Sequence, residues 1–185
     1  WERIVIWSAN RFRRYHLFDV DIANTGTDIT SLPEFRQADV IHLHWVNQGM
    51  LSLKDIRRIL TSGKPVVWTM HDMWPCTGIC HYARECKNYQ QECHDCPYIY
   101  KGILIHVATF RKKQKLYSYA PIHFVTCSHW LKEQAQTSAL FEGKSVTNIP
   151  NAINTNLFKP MNKKEARAKF ILPEGKKLVL FGSLK

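Results

Sequence analysis

The sequence has no long apolar run and few acidic residues, and both features limit what the protein can be. Its 185 residues contain 26 Lys and Arg against 15 Asp and Glu, which gives a net charge of +11. No stretch approaches the roughly 18 apolar residues that suggest a membrane-spanning helix. Internal repeats, low-complexity tracts and a signal-peptide pattern are absent too, and because the chain begins at Trp1 we expect preceding residues upstream.

The composition is that of a soluble globular protein with an anionic partner. Hydrophobic residues make up 45% and charged residues 22%, in a chain long enough for one α/β domain. A positive net charge favours phosphates, nucleic acid or an anionic membrane surface, and a merely solubilising surface is the alternative. The basic clusters at 11–14, 112–115 and 163–164 lack the aromatic interleaving of a nucleic-acid module, so no nucleic-acid partner is expected.

Apolar runs typical of buried strands alternate with amphipathic segments typical of helices. Strands are predicted at 4–7, 39–45, 66–69, 122–126, 145–149 and 178–182, and helices from Ser52, at 102–119, from Ser128 to 140 and at 162–170. This alternation predicts an α/β, Rossmann-like fold in which helices cover both faces of a parallel sheet. Ligands of such sheets bind beyond the carboxyl ends of the strands.

The chain is expected to divide near residue 150. Residues 1–149 are interpreted as a Rossmann-like domain whose start is truncated, with a cysteine-rich loop at 76–97. Residues 150–161 are rich in Asn and Pro and read as a linker. Residues 162–185 are interpreted as the opening of a second, incomplete domain, because one strand and one glycine cannot form a domain.

Polar and aromatic side chains follow four consecutive predicted strands at their carboxyl ends. They are His44, Trp45, Asn47 and Gln48, then His71, Asp72 and Trp74, then Ser128 and His129, and finally Asn151. A sugar ring has an apolar C–H face and polar hydroxyls, so aromatic rings beside hydrogen-bonding groups suit it. The strand ends therefore predict a carbohydrate-binding cleft.

His71 followed by Asp72 is the best candidate for catalysis. The imidazole could act as a general base or hold a sugar hydroxyl, and a neighbouring carboxylate can fix its orientation. A pair that only stabilises the loop is the alternative. His42 and His44 share one face of a strand, and we interpret His42 as a core residue and His44 as a cleft residue.

Five of the six cysteines lie between residues 76 and 96. Such crowding in an α/β chain favours a metal site over a disulfide framework and indicates a reducing compartment. Cys80, Cys86, Cys93 and Cys96 could hold a structural zinc ion in a tetrahedral thiolate site, with disulfides or free thiols as the alternatives. A closed site of this kind has no open position, so no catalytic metal is expected.

Several segments together resemble glycosyltransferase family 4, whose members have GT-B architecture. They are residues 38–45, 64–75, 126–131 and 149–160. The cysteine-bearing run from Thr77 resembles the branch used in polysaccharide and capsule assembly. The resemblance implies sugar transfer from a nucleotide diphosphate sugar to a glycan or lipid-linked acceptor, with His71 near the transferred sugar. It further implies that this chain is the acceptor-side half, inactive alone, and that the missing domain binds the donor through paired glutamates.

Two departures from the family pattern are visible. No Gly-rich loop follows the first predicted strand, and Asn151-Ala152-Ile153-Asn154 stands where Asn-Gly-Val/Ile-Asp is usual. The competing interpretations are a non-catalytic sugar-binding or scaffold protein on the same fold, a basic zinc-binding nucleic-acid module, and a GT-B phosphorylase or epimerase. Our hypothesis for location is a cytoplasmic enzyme peripheral to the inner membrane face, where basic patches meet anionic lipid.

Overall fold

A four-stranded parallel sheet forms the centre of the protein and confirms the α/β, Rossmann-like class predicted from the sequence. The computed structural model describes residues 1–14 and 16–182. The strands are β1 (Ile41–His44), β2 (Val66–Met70), β3 (Ile122–Thr126) and β4 (Val146–Asn148), and they lie in that order across the sheet. Because all neighbouring pairs are parallel, the four carboxyl ends lie along one edge of the sheet.

Helices and irregular segments connect the strands. The described residues contain α1 (Glu2–Ala9), α2 (Pro33–Gln37), α3 (Leu53–Leu60), α4 (Ile105–Leu116), α5 (His129–Gln136) and α6 (Lys163–Lys169). Short 3₁₀ turns lie at Trp74–Cys76, Asn88–Gln90 and Ala139–Phe141. Within these residues, none of the helices has the length and apolar character needed to cross a membrane.

Two helices begin where side-chain caps predict. The Oγ atom of Ser52 accepts a hydrogen bond from the backbone N–H of Asp55 at 3.2 Å, and the Asp55 carboxylate accepts from the N–H of Ser52 at 3.0 Å. This reciprocal pair satisfies two N–H groups that would otherwise lack partners at the start of α3. Ser128 caps α5 through a single bond, in which its Oγ accepts from the N–H of Leu131 at 3.2 Å.

Aromatic side chains fill the core on one face of the sheet. The rings of Trp68 on β2 and Phe124 on β3 stack with their centroids 6.0 Å apart. The ring centroids of Phe124 and Phe141 lie 4.3 Å apart. The opposite face is less covered, since His42 on β1 and His123 on β3 are both exposed. His42 was predicted to be a core residue, and the structure places it instead at the surface, hydrogen-bonded to Thr69.

A lysine is completely buried where α4 packs beneath the segment that follows β2. The Nζ atom of Lys113 donates to the carbonyl oxygens of Trp74 at 2.6 Å and Thr77 at 3.1 Å, and lies 3.3 Å from the centre of the Trp74 ring. Burial lowers the pKa of Lys113 to about 7. The two carbonyl contacts and the aromatic face supply partners for a cation that water cannot reach.

The predicted first strand, at residues 4–7, is instead part of helix α1. A run of four apolar residues cannot distinguish a strand from a buried helix segment. In the structure Glu2 and Ile6, one helical turn apart, are the buried residues of α1. The Glu2 carboxylate accepts hydrogen bonds from the N–H groups of Ile22 and Ala23 at 2.6 and 2.7 Å. These contacts hold the helix against residues 20–23.

The predicted last strand, at residues 178–182, is not formed. These residues lack regular secondary structure, and Leu180 has 98% of its surface exposed. A buried parallel strand needs a neighbouring strand to pair with, and the described part of the chain after Pro150 contains only helix α6.

The chain divides into two compact units, Trp1–Pro150 and Asn151–Lys185. The first unit contains the whole sheet. In the second, the side chain of Asn162 caps α6 by accepting from the N–H groups of Lys164 and Glu165. The interpretation of residues 162–185 as the opening of a donor-binding domain stays a prediction.

We expect Lys113→Met to destabilise the protein by about 1–3 kcal/mol, because the substitution leaves the buried carbonyl of Thr77 without a donor and removes one of the two donors to that of Trp74. Urea unfolding at neutral pH measures this difference. Lys112→Met, at an exposed neighbouring position of α4, is the matched control and should change the free energy of unfolding by less than about 0.5 kcal/mol. Equal stability of the two variants would contradict the role assigned to Lys113.

The same pair of variants should differ in pH dependence. The pKa of Lys113 is about 7 in the folded protein and has its ordinary value, 10.5, when unfolded. Between these values the unfolded chain binds more protons, so this group makes stability rise with pH. The stability advantage of the native protein over Lys113→Met should therefore grow from pH 7 to pH 8.5. A constant difference would contradict the lowered pKa.

Candidate active site

A cavity of about 640 Å³ opens at the carboxyl ends of β1 and β2, where the sequence predicts a ligand. This volume falls within the usual range of small-molecule pockets. Four of the predicted site residues line it, namely Trp45, Gln48, His71 and Asp72. The opposite wall comes from the cysteine-rich loop and from the first turns of α5.

The carboxylate of Asp72 joins three segments of the site. One oxygen, Oδ2, accepts hydrogen bonds from Nδ1 of His81 at 2.7 Å and from Nε1 of Trp45 at 2.9 Å. The other, Oδ1, accepts from the backbone N–H of Trp74 at 2.9 Å. Asp72 is only 6% exposed, so these donors replace the water that an ionised carboxylate requires.

Trp45 follows β1 in an unusual backbone conformation. Its φ angle is +38°, in the left-handed region that costs a bulky residue energy. The bond from its indole to Asp72 holds it there, and its ring stays 44% exposed beside the cavity. Gln48, also left-handed, donates its backbone N–H to the carboxylate of Asp21 at 2.5 Å. Buried carboxylates thus hold both ends of this turn.

Three histidines stand in a row along the end of β1 and β2. Nδ1 of His44 and Nε2 of His71 lie 3.0 Å apart, and His42 contacts His44 with ring centroids 4.0 Å apart. Burial lowers the pKa of His44, and the neighbouring His42 and His71 lower it further. His44 therefore favours the neutral form, which can share one hydrogen with His71. In the described chain, Nδ1 of His71 has no protein partner and remains open to a ligand.

The remaining predicted site residues lie outside the cavity lining. Trp74 is completely buried, and its indole donates to the carbonyl of Asp21 at 2.7 Å, so it packs in the core and cannot stack on a ligand. Asn47 is buried as well, Ser128 caps α5, and His129 is exposed beside it. Asn151 belongs to the second unit, and its role in the site stays a prediction.

Sequence reasoning missed several side chains that line the cavity, among them Phe18, His81, Tyr82, Arg84 and Trp130. His81 and Tyr82 lie inside the cysteine-rich loop, which was interpreted through its metal-ligand spacing and its family resemblance and not as part of the cleft. The signal that was available is the Cys80-His81-Tyr82 run itself, since a histidine next to an aromatic residue suits the same carbohydrate chemistry as the strand ends. In the structure, Nε2 of His81 is buried and has no partner among the described residues.

The four predicted zinc ligands surround one small cavity in the loop. Cys80, Cys86, Cys93 and Cys96 all line it, and the N–H of Gly78 donates to Sγ of Cys93 at 3.2 Å. Burial raises the pKa of Cys80 and Cys93 to about 12 and that of Cys96 to about 11. Without a cation these groups are neutral thiols at physiological pH.

His106 of α4 lies at the same small cavity. It is 4% exposed, and neither ring nitrogen has a hydrogen-bond partner in the described structure. Burial lowers its pKa, so the ring favours the neutral form. Within residues 1–14 and 16–182, however, no three His, Cys, Asp or Glu side chains form a group already arranged to hold a metal. The zinc site therefore stays a prediction.

Comparison with known families identifies the class of the protein. Residues 3–157 match the sequence profile of Glycosyltransferase Family 4. This match covers most of the chain, including the sheet and every residue that lines the cavity. The chain belongs to this family, as its strand-end motifs predict.

A named relative matches part of the chain. The protein called "Putative colanic acid biosynthesis glycosyl transferase WcaC", from Escherichia coli (strain K12), is 34% identical over 64 residues. The alignment covers 31% of this chain and 16% of the relative, so most of the relative lies outside it. No solved structure matches the chain significantly.

We expect Asp72→Asn to release Trp45 and His81, because a carboxamide has one acceptor oxygen and turns an N–H₂ group toward a donor. The loss should be about 1–3 kcal/mol of stability, together with a shift of the Trp45 indole N–H signal in NMR spectra. Asp39→Asn, at an exposed position, is the control. An indole signal that does not move in Asp72→Asn would contradict the assigned contact.

Proposed function

We propose that this chain forms the acceptor-side part of a glycosyltransferase in polysaccharide assembly. The enzyme moves a sugar from a nucleotide diphosphate sugar to a glycan or lipid-linked acceptor. Family membership supports the reaction class, and the relative named for colanic acid biosynthesis supports the polysaccharide setting. The donor nucleotide is held mainly by parts of the protein beyond this chain.

The observation that carries the proposal is the chemistry of the 640 Å³ cavity. Aromatic rings form its walls, and histidine, glutamine and carboxylate groups stand between them at the strand ends. A sugar needs both kinds of surface, because its C–H face is apolar and its hydroxyls are polar. The histidine pair and the Asp72 contacts hold these groups in place before a ligand arrives, as catalysis by positioning requires.

His71 is the residue to which we assign direct contact with the reacting sugar. Its Nε2 is engaged with His44, which leaves Nδ1 for a substrate hydroxyl. During transfer a bond forms between an acceptor oxygen and the anomeric carbon, the bond to the donor phosphate breaks and releases nucleoside diphosphate, and the acceptor hydroxyl passes its proton to Nδ1 of His71. A hydrogen bond from that hydroxyl to an imidazole nitrogen would fix its orientation. Asp72 acts as a positioning residue, through His81 and Trp45.

We also propose peripheral contact with the inner face of the membrane and a cytoplasmic location. Lys112 and Lys115 are exposed on α4, and each basic group near an anionic surface contributes about 1 kcal/mol of attraction. Such contact would bring a lipid-linked acceptor to the enzyme.

A structural zinc ion in the cysteine-rich loop is a further part of the proposal. Three observations support it: four thiols line one cavity, an amide N–H points at Cys93, and the buried ring of His106 lacks partners. Because the donors are not already gathered around one point, binding would require side-chain rotation. The ion would deprotonate the thiols that bind it and fix the loop that forms one wall of the cavity.

We expect the complete protein that contains this chain to release nucleoside diphosphate from one of a panel of nucleotide sugars when a lipid-linked or glycan acceptor is present. His71→Ala should lower this release at least about 100-fold, the usual contribution of a positioned proton-transfer or hydrogen-bonding group. His123→Ala, at an exposed site on β3 outside the cavity lining, should retain it.

The outcomes of this assay test the reaction class and the role of His71 separately. Release that persists in His71→Ala would keep the reaction class and remove His71 from the site. Release from no donor, with any acceptor, would favour the non-catalytic sugar-binding alternative on the same fold.

We expect the purified complete protein to contain about one zinc ion per chain, as a closed structural site holds. Elemental analysis measures this content, and replacement by Co²⁺ should give thiolate-to-metal absorption bands. Cys93→Ser should lose the metal, whereas Cys127→Ser, outside the cysteine cavity, should keep it. Protein that contains no metal, and whose loop thiols are all free when it is unfolded, would remove zinc from the proposal.

A further inference from the structure

Two exposed aromatic side chains lie against each other at the rim of the cavity. The ring centroids of Tyr82 and Trp130 are 6.4 Å apart and the rings are inclined by 28°, close to a parallel stack. Each ring is about half exposed, at 52% and 49%, and both line the cavity. Large apolar rings left open to solvent beside a cavity are typical of a binding surface.

Neither ring belongs to a flexible tip of the chain. The carbonyl of Tyr82 accepts a hydrogen bond from the buried Tyr98 hydroxyl at 2.7 Å. Trp130 is the second residue of α5, whose start is fixed by the cap of Ser128. The two rings are thus presented by anchored backbone, which lowers the entropy lost when a ligand binds.

Both rings also carry hydrogen-bond donors that the protein does not use. In the described chain the Tyr82 hydroxyl and the Trp130 Nε1 have no protein partner. Burial raises the pKa of Tyr82, so its hydroxyl stays protonated and can donate. Trp45, across the same cavity, differs because Asp72 accepts its indole N–H, and this ring offers only its face.

The charges of the cavity lining favour an uncharged ligand. Among the described residues that line it there is no lysine, and the single arginine, Arg84, pairs with Asp19 at 3.7 Å. The Asp72 carboxylate adds negative charge and is already satisfied by three donors. A carboxylated or phosphorylated ring would lose hydration here without gaining an unpaired cation.

We propose that Tyr82 and Trp130 form a subsite for an uncharged pyranose ring of the acceptor, whose C–H face lies on the stacked rings. The hydroxyls at the edge of the sugar accept hydrogen bonds from the Tyr82 hydroxyl and the Trp130 indole. That this sugar belongs to the acceptor rests on the proposed transferase function, whereas the binding of a pyranose does not.

Binding without turnover tests the subsite. The probes are the methyl pyranosides of glucose, galactose and mannose, and methyl glucuronide as the charged counterpart, added to the complete protein without nucleotide sugar. Saturation-transfer NMR titrations give the affinity and show which sugar protons contact the protein. We expect at least one neutral glycoside to bind through its C–H face, and to bind more tightly than the glucuronide.

Variants separate the contribution of the rings from that of folding. Tyr82→Ala and Trp130→Ala should each weaken binding about three- to tenfold, in the range of one aromatic contact. Trp130→Phe and Tyr82→Phe each keep a stacking face and remove one hydrogen-bond donor, so each should weaken binding, but by less than the alanine variant at the same position. The control is Trp7→Ala, a half-exposed indole that packs on Phe12 outside the cavity lining.

The outcomes distinguish this proposal from the transferase function. Unchanged affinity in both alanine variants, with unfolding temperatures like that of the native protein, would overturn the subsite. Tighter binding of the glucuronide, or no binding of any neutral glycoside, would do the same. Ring-dependent binding in a protein that releases no nucleoside diphosphate would retain the subsite and reject the transferase.

Discussion

The carboxylate of Asp72 is the interaction on which the rest of the site depends. It is nearly enclosed, yet it accepts from an indole, an imidazole and a backbone N–H, which come from the end of β1, the cysteine-rich loop and the turn after β2. A buried carboxylate that lacks one of its hydrogen-bond donors destabilises the folded protein. Each donor is therefore constrained by the others, and the left-handed backbone of Trp45 is one conformation that this constraint maintains. The cavity walls follow from the same contacts.

The parts of the site that the sequence predicts are those set by strand geometry. In the parallel register His44 pairs with Thr69, so the residues just beyond each strand lie side by side. His44 accordingly meets His71, and Trp45 meets Asp72, each pair being 27 residues apart. Period-2 burial and the polar residues after each strand were enough to predict that these side chains share one edge of the sheet, but not which of them would pair. The α/β class followed for the same reason, because alternating apolar strands and amphipathic helices have few other packed arrangements.

The features that the sequence could not predict are set by contacts without periodicity. His81 and Tyr82 lie in a long loop whose path follows from hydrogen bonds such as that from Tyr98 to the Tyr82 carbonyl. Trp74 follows β2 closely, yet its side chain packs in the core, where the indole N–H donates to the Asp21 carbonyl. An aromatic residue just after a strand can face either the cavity or the core, and the local sequence does not determine which of the two it faces. The helix at residues 2–9 was not predicted because a run of four apolar residues fits the period of a helix as well as that of a strand.

Hydrogen bonds to two buried side chains hold the segment that leads into the cysteine-rich loop. The N–H of Trp74 donates to the Asp72 carboxylate, and its carbonyl accepts from Nζ of Lys113, so both backbone groups of this residue have side-chain partners. Lys113 also reaches the carbonyl of Thr77. These hydrogen bonds hold residues 72–77, of which Asp72 and Met73 line the cavity. The N–H of Gly78 donates to Sγ of Cys93, so the ordered segment continues into the cysteine cluster. Cys86 and Cys96 lie on either side of the 3₁₀ turn at Asn88–Gln90, and this later segment is where the proposed zinc ion would add contacts.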